Sequence, residues 1–271
     1  MKLFILSAPD LDSFQIRVLQ WLFGDPRIEI VGACIDAHPD EPKLKRAWRD
    51  LRKGRGGYVL VKAVNTLLRR TRQPVMSALD YFSARHVPVL ETGDLYARET
   101  LDYIRRPAPD CLFRSGFGII REPVLSLASK GVLSYHHGDL RRYRGTPVAF
   151  WELYHGERQL GVTVQMLVPK LDAGRIVREI TVPIEPNDSW RSLQRLAYEA
   201  SERMLLEACL ELDRMDFEPV QLPDEELGQL YTEPNLRQWS MLQAKVAARR
   251  LRTLAQVPLR RDGEARPSRP S

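Results

Sequence analysis

Short apolar runs and amphipathic stretches alternate from the first residues of the chain. Lys2 to Ser7 is apolar enough for a short buried strand. Behind it Phe14, Val18, Leu19 and Leu22 recur at helical spacing, with Asp12 or Ser13 placed to cap the helix and Gly24-Asp25-Pro26 placed to end it. Ile28 to Ile35 is rich in β-branched residues and predicts a second strand. Strand, helix and strand in this order imply a parallel sheet with right-handed crossovers.

The pattern then loosens. Pro39 to Gly57 is polar, basic and glycine-bearing, and Tyr58 to Leu68 predicts a helix with Val61, Val64, Leu67 and Leu68 on one side. The stretch of about 39–72 reads as a basic insertion or lid beside the sheet. Regular patterning resumes with predicted helices over Ser77 to Arg85, Leu95 to Ile104 and Pro123 to Leu127, and strands over Val87 to Glu91, Cys111 to Arg114 and Gly131 to Tyr135. Gly161 to Leu167 alternates as a strand, and Ile176 to Val182 predicts its antiparallel neighbour across the Lys170 to Gly174 loop. Ser189 to Met215 predicts the longest helix, with Leu193, Leu196, Ala197, Ala200, Met204, Leu205 and Ala208 on its inner face. A final helix covers Leu236 to Leu254. The expected organisation is α/β: a main domain over 1–215, a small and mainly helical extension over 216–260, and a tail over 261–271 too poor in apolar residues to fold.

Composition narrows the class. At 271 residues and 44% apolar content the chain can build a sizeable core. Cys34, Cys111 and Cys209 are too few and too scattered for a disulfide framework, which fits a reducing compartment. The opening apolar run is too short for a signal peptide, and no stretch approaches a membrane span, so a cytoplasmic location is expected. The net charge of +6 collects between Lys43 and Arg72 and from Lys245 to Arg269. An anionic partner such as RNA would use such runs, but they lack the interleaved aromatics of a stacking surface. The same charges also read as a solvated face and a loose tail, and for the tail this is the favoured reading.

Cys111 to Gly118, Gly131 to Asp139 and Gly161 to Asp172 each pair a strand with polar or glycine residues at its end. Ligands of open α/β sheets bind beyond the carboxyl ends of the strands. Ser134, His136, His137, Asp139 and Asp172 therefore have a common place to meet. Adjacent histidines on a strand face opposite ways, so only one of His136 and His137 points into a cleft there. Nothing near them has tight ligand spacing for a metal. The Gly116-x-Gly118 pattern is too short for a dinucleotide fingerprint, and no nucleophile elbow surrounds Ser134. Periodicity alone leaves His136 as either a site residue or a packed core histidine.

The stretch Gly131-Val-Leu-Ser-Tyr-His136-His-Gly-Asp-Leu-Arg-Arg-Tyr-Arg-Gly145 resembles the signature region of the formyltransferases that use 10-formyltetrahydrofolate. That group includes methionyl-tRNA, glycinamide ribonucleotide and sugar-nucleotide formyltransferases. Gly161 to Ile176, with Leu171-Asp172-Ala-Gly174, is similar to the second element of the same family. The resemblance implies a Rossmann-like formyltransferase fold, with 10-formyltetrahydrofolate as formyl donor. It places His136 and Asp172 as catalytic residues, and it puts Ser134 where the family has an asparagine. His137 stands where a proline is usual and would be an auxiliary group. Leu90, Gly116, Phe117, Gly118, Ile119 and Ile120 fall on the folate side, and Arg142, Tyr143, Arg144 and Gly145 on the acceptor side. No metal is implied.

Ser7-Ala-Pro-Asp10 replaces the phosphate loop of the ribonucleotide enzyme, and the barrel that follows in the tRNA enzyme is not evident. The expected acceptor is therefore a small-molecule amine, for instance on a nucleotide-linked sugar, with nucleic acid disfavoured and a homodimer left open. The rival expectations are a 10-formyltetrahydrofolate hydrolase and a non-catalytic relative that binds folate or nucleotide.

Overall fold

In the computed structural model the described residues are 1–38, 48, 51–52 and 75–255. The basic insertion apart from 48 and 51–52, the helix expected over Tyr58 to Leu68 and the tail over 261–271 lie outside them.

A seven-stranded sheet forms the centre, in the order β10-β9-β7-β6-β1-β3-β5. Its strands are β1 (Lys2–Ser7), β3 (Glu29–Asp36), β5 (Val89–Thr92), β6 (Cys111–Arg114), β7 (Val132–His136), β9 (Gln159–Met166) and β10 (Arg175–Pro183). The two-residue strands β2 (Asp10–Leu11) and β4 (Met76–Ser77) pair apart from it. From β7 to β5 every pairing is parallel, while β9 runs antiparallel to β7 and β10 antiparallel to β9. The mostly parallel α/β sheet expected from the sequence is therefore present, closed on one side by a hairpin.

Helix α1 (Ser13–Phe23) starts at Asp12, whose carboxylate accepts from the Gln15 backbone N–H while the Gln15 side chain accepts from the Asp12 N–H. This reciprocal box satisfies two donors that a helix start leaves unpaired. Helices α2 (Ala78–Ser83), α3 (Arg98–Arg105) and α4 (Phe150–His155) follow.

The two faces of the sheet carry different cores, as the period of two requires. Leu3, Ile5, Phe113, Leu133, Val162 and Val164 belong to the larger core. Phe4, Leu6, Leu112 and Val132 point the other way into the smaller one. On this second face the apolar residues stop short of the carboxyl ends. Leu112 gives way to Arg114 on β6, and Val132 to Ser134 and His136 on β7. The register continues the polar end outward, with Gln165 beside Ser134, Thr163 beside His136 and Glu179 beside Thr163.

The helix expected over Ser189 to Met215 is two helices, α5 (Trp190–Ser201) and α6 (Met204–Leu212). The cause is a side chain from the sheet. The Tyr135 hydroxyl donates to the Ser201 carbonyl at 2.7 Å and accepts from the Leu205 N–H at 3.0 Å. Those two groups would have bonded each other in an unbroken helix, and inserting a side chain between them interrupts the ladder. The last helix, α7 (Leu236–Ala255), packs Trp239, Leu242 and Val246 into the larger core. Before it, β11 (Gln229–Tyr231) pairs in parallel with β8 (Tyr143–Gly145), a ladder the sequence did not announce. Cys34, Cys111 and Cys209 are buried free thiols, and no described helix is long and apolar enough to cross a membrane.

Replacing Tyr135 with Phe keeps the ring but deletes the bridge between Ser201 and Leu205. Stability is expected to fall by about 1–3 kcal/mol, the cost of leaving buried backbone groups poorly paired. Urea unfolding should show a lower midpoint with an unchanged slope.

Candidate active site

The polar end of the second sheet face opens into a cleft of about 460 Å³. Its walls include Arg114, Ser134, His136, Gln165, Asp172 and Tyr231. Ser134 and His136 lie on one face of β7, two residues apart, as the alternation requires. Ser134 is 2% exposed, and its Oγ lies 3.4 Å from Nη1 of Arg114.

His136 is fixed by a main-chain group. Its Nε2 lies 2.8 Å from the Tyr143 carbonyl oxygen. A carbonyl only accepts, so Nε2 carries the proton and Nδ1 is the nitrogen left for chemistry. Nδ1 faces Asp172 Oδ1 at 3.9 Å. That gap is too wide for a direct hydrogen bond but within ion-pairing reach once the ring is protonated. Gly138 is required beneath this contact, because a Cβ there would come within 2.6 Å of both His136 Nε2 and the Tyr143 oxygen.

Asp172 is aimed by the β9–β10 loop. It holds a left-handed backbone, φ 45°, which aspartate tolerates better than most residues. Two residues on, the Gly174 N–H donates to Gln165 Oε1 at 3.0 Å. The loop is tied from outside as well. Lys170 pairs with Asp224 at 2.7 Å, and the Arg144 guanidinium donates to the Gly228 and Leu171 carbonyls.

His137 goes to the other face. It stacks on Tyr135 with centroids 5.5 Å apart and meets Tyr198 and Phe14 edge-on. Burial pushes its pKa down to about 3, with His136 adding to the effect, so the ring is neutral. It is also among the residues that line the cleft.

On the expected folate side Ile119 and Ile120 line the cleft, and Ile119 is 56% exposed there. Leu90 sits on β5 against the smaller core and is not among the lining residues. Gly116 packs against Ser7 and Ala8, where a Cβ would come within 2.0 Å of the Ala8 nitrogen. Phe117 and Gly118 present their carbonyls to Arg114. On the expected acceptor side Gly145 lines the cleft. Its left-handed backbone (φ 92°) has room for no Cβ, which would meet the Tyr231 carbonyl at 1.9 Å. Arg142 is held by both oxygens of Glu157, and Tyr143 donates its hydroxyl to the same carboxylate. These charges are therefore already satisfied within the chain.

Sequence reasoning missed Arg114, Gln165 and Tyr231. The first two did carry a signal, since each is polar at an inward position of an otherwise apolar strand. Among the described residues no group of three His, Cys, Asp or Glu side chains could hold a metal ion.

A separate cavity of about 370 Å³ is lined by Asp139, Arg142, Tyr143, Glu152, Thr163 and Glu179. Glu152 is 3% exposed. Burial raises its pKa from 4.5 to about 7, and the Glu157 and Asp139 charges push in the same direction.

The chain matches the family model described as "Formyl transferase" over residues 62–209. It is 27% identical to the methionyl-tRNA formyltransferase of Thermotoga sp. (strain RQ2) over 219 residues, covering 80% of this chain and 60% of that protein. The chain thus spans under two thirds of the length of this relative. Among solved structures, a Helicobacter canadensis N-formyltransferase in complex with folinic acid and dTDP-3-aminofucose matches with a TM-score of 0.57 at 13% identity, over 86% of this chain and 71% of that one. A phosphoribosylglycinamide formyltransferase from Anaplasma phagocytophilum also gives 0.57 at 13% identity, over 86% and 99%. At these identities the two structures share the fold.

Glu152 makes stability depend on pH. Its folded pKa lies above its unfolded value, so the folded state holds the proton more tightly. The contribution is full below about pH 4.5 and is lost as the pH rises through about 7, a swing of roughly 3 kcal/mol. Glu152→Gln removes the ionisation. Its urea midpoint should exceed that of the unaltered protein at about pH 8 and lose that advantage at about pH 5.

Proposed function

The chain belongs to the formyl transferase family, and on that footing we propose that it transfers a formyl group from 10-formyltetrahydrofolate to the amine of a small acceptor. The observation that carries this reading is the facing pair of His136 Nδ1 and Asp172 at the carboxyl ends of the strands, inside a cleft. An acceptor amine must lose a proton as it gains the formyl group. Nδ1 is placed to take that proton, and the Asp172 carboxylate then pairs with the imidazolium. Nε2 keeps its proton on the Tyr143 carbonyl throughout, so the ring stays oriented.

The residues present fit a folate donor. Much of the cleft wall is apolar: Ile119 at 56% and Leu171 at 45% exposure stand in it beside the partly buried Leu167. Such surfaces suit the flat face of a pterin. Bound there, the donor supplies a formyl carbon: its bond to the amine nitrogen forms, its bond to N10 breaks, and N10 keeps the pair and gains the proton the amine has lost. Ser134 would hydrogen-bond the formyl oxygen from beside His136, either directly or through a water. A nucleotide-linked amino sugar is the acceptor class that we favour, with Gly145, Thr146 and Tyr231 along its side of the cleft.

The test is a screen of small amines with 10-formyltetrahydrofolate, read by the mass gain of the acceptor. His136→Ala and Asp172→Ala should each lower the maximal rate by roughly a hundredfold or more, the usual worth of a placed acid–base group. Unchanged rates in both variants would sink the assignment. Release of formate without an acceptor would replace transfer by hydrolysis. Folate binding without any turnover would leave a binding protein.

A further inference from the structure

Arg114 ends a buried strand with its guanidinium in the cleft wall. Among the described residues no carboxylate lies within ion-pairing distance of it. Its contacts are neutral. Nε donates to the Gly118 carbonyl at 3.1 Å, Nη2 to the Phe117 carbonyl at 3.0 Å, and Nη1 to Ser134 Oγ at 3.4 Å. A guanidinium has five N–H groups, so these three bonds leave two for another acceptor.

The cation is also poorly placed for stability alone. Burial pushes its pKa down, and the Asp172 charge across the cleft only partly opposes this. A half-buried charge with no counter-ion in contact is held at a cost to stability. Neutral carbonyls can solvate it but cannot neutralise it. Bracing the Phe117–Gly118 loop would need donors, not a permanent charge. What the arrangement lacks is a negative partner, and the open N–H groups mark where one would sit.

Formyl transfer creates such a partner for a moment. When the amine adds to the formyl carbon, the carbonyl π pair moves onto oxygen, and it returns as the bond to N10 breaks. We propose that Arg114 is a catalytic residue whose guanidinium, next to the Ser134 hydroxyl, receives the formyl oxygen and stabilises its negative charge. The assignment rests on the formyl-transfer reading. A cation unpaired in the ground state and paired in the transition state lowers the barrier by the difference. His136 and Asp172 are then free to handle the amine proton.

The experiment compares two stable folate analogues, 10-formyl-5,8-dideazafolate and its parent 5,8-dideazafolate, binding to the full chain and to Arg114→Gln and Arg114→Lys. The two ligands share ring and glutamate tail and differ only in the formyl group. The unaltered protein should prefer the formylated ligand. Arg114→Gln should lose most of that preference while binding the parent within about threefold, and its maximal transfer rate should fall roughly a hundredfold. Added guanidinium ion should restore part of the rate, and Arg114→Lys should be intermediate because lysine keeps the charge without the fork. Equal weakening of both ligands in Arg114→Gln would make the residue a loop brace and overturn the proposal. So would an undiminished preference for the formylated ligand, which leaves formyl transfer itself standing. An unaltered protein that binds neither analogue would remove the formyl-transfer reading and this proposal together.

Discussion

The hydrogen bond from His136 Nε2 to the Tyr143 carbonyl joins a rigid strand to a loop, and the site depends on that loop staying in place. A loop carbonyl is a weak anchor unless the loop is itself held, and here it is held from three directions. Thr163 Oγ1 donates to the Gly138 carbonyl at 3.0 Å. Glu157 takes the Tyr143 hydroxyl and the Arg142 guanidinium. Tyr143 to Gly145 forms a ladder with Gln229 to Tyr231. The tautomer of one imidazole is thus set by residues spread over nearly a hundred positions of chain. The segment after α6 contributes one side of that ladder and the aspartate that grips Lys170. It braces the candidate site.

The electrostatics of the cleft follow from which charges are paired elsewhere. Arg142 and Arg144 belong to the basic stretch next to the motif, yet one is held by Glu157 and the other by carbonyl oxygens. Arg114, alone at the end of an apolar strand, keeps open valences toward the cleft. The useful cation is the one that sequence context makes least conspicuous. Proximity in sequence to a motif says where a charge is, whereas the surrounding partners decide whether it can act on a ligand.

Elements whose causes are local were readable from the chain. The strands Lys2–Ser7 and Cys111–Arg114 have the predicted bounds, because apolar runs flanked by polar residues leave few alternatives. The opposed directions of His136 and His137 followed from the pleat alone. What was unreadable has distant causes. The interruption between α5 and α6 comes from Tyr135, 66 positions from Ser201, and the helical periodicity runs through it undisturbed. The three-residue strands β8 and β11 are too short to leave a pattern, and each is extended only because the other is present. The pairing of Nε2 with a carbonyl is a main-chain matter on which side-chain identities are silent.

The Tyr135 bridge has a consequence for the order in which the molecule assembles. In a chain not yet docked, Ser201 and Leu205 would close their own turn, and one helix would run through both segments. Docking against β7 exchanges that local bond for two long-range ones. Helix formation is fast, whereas strand pairing across long loops is slow. The break between α5 and α6 is therefore made by tertiary contact, and packing on this face loosens secondary structure where packing usually tightens it.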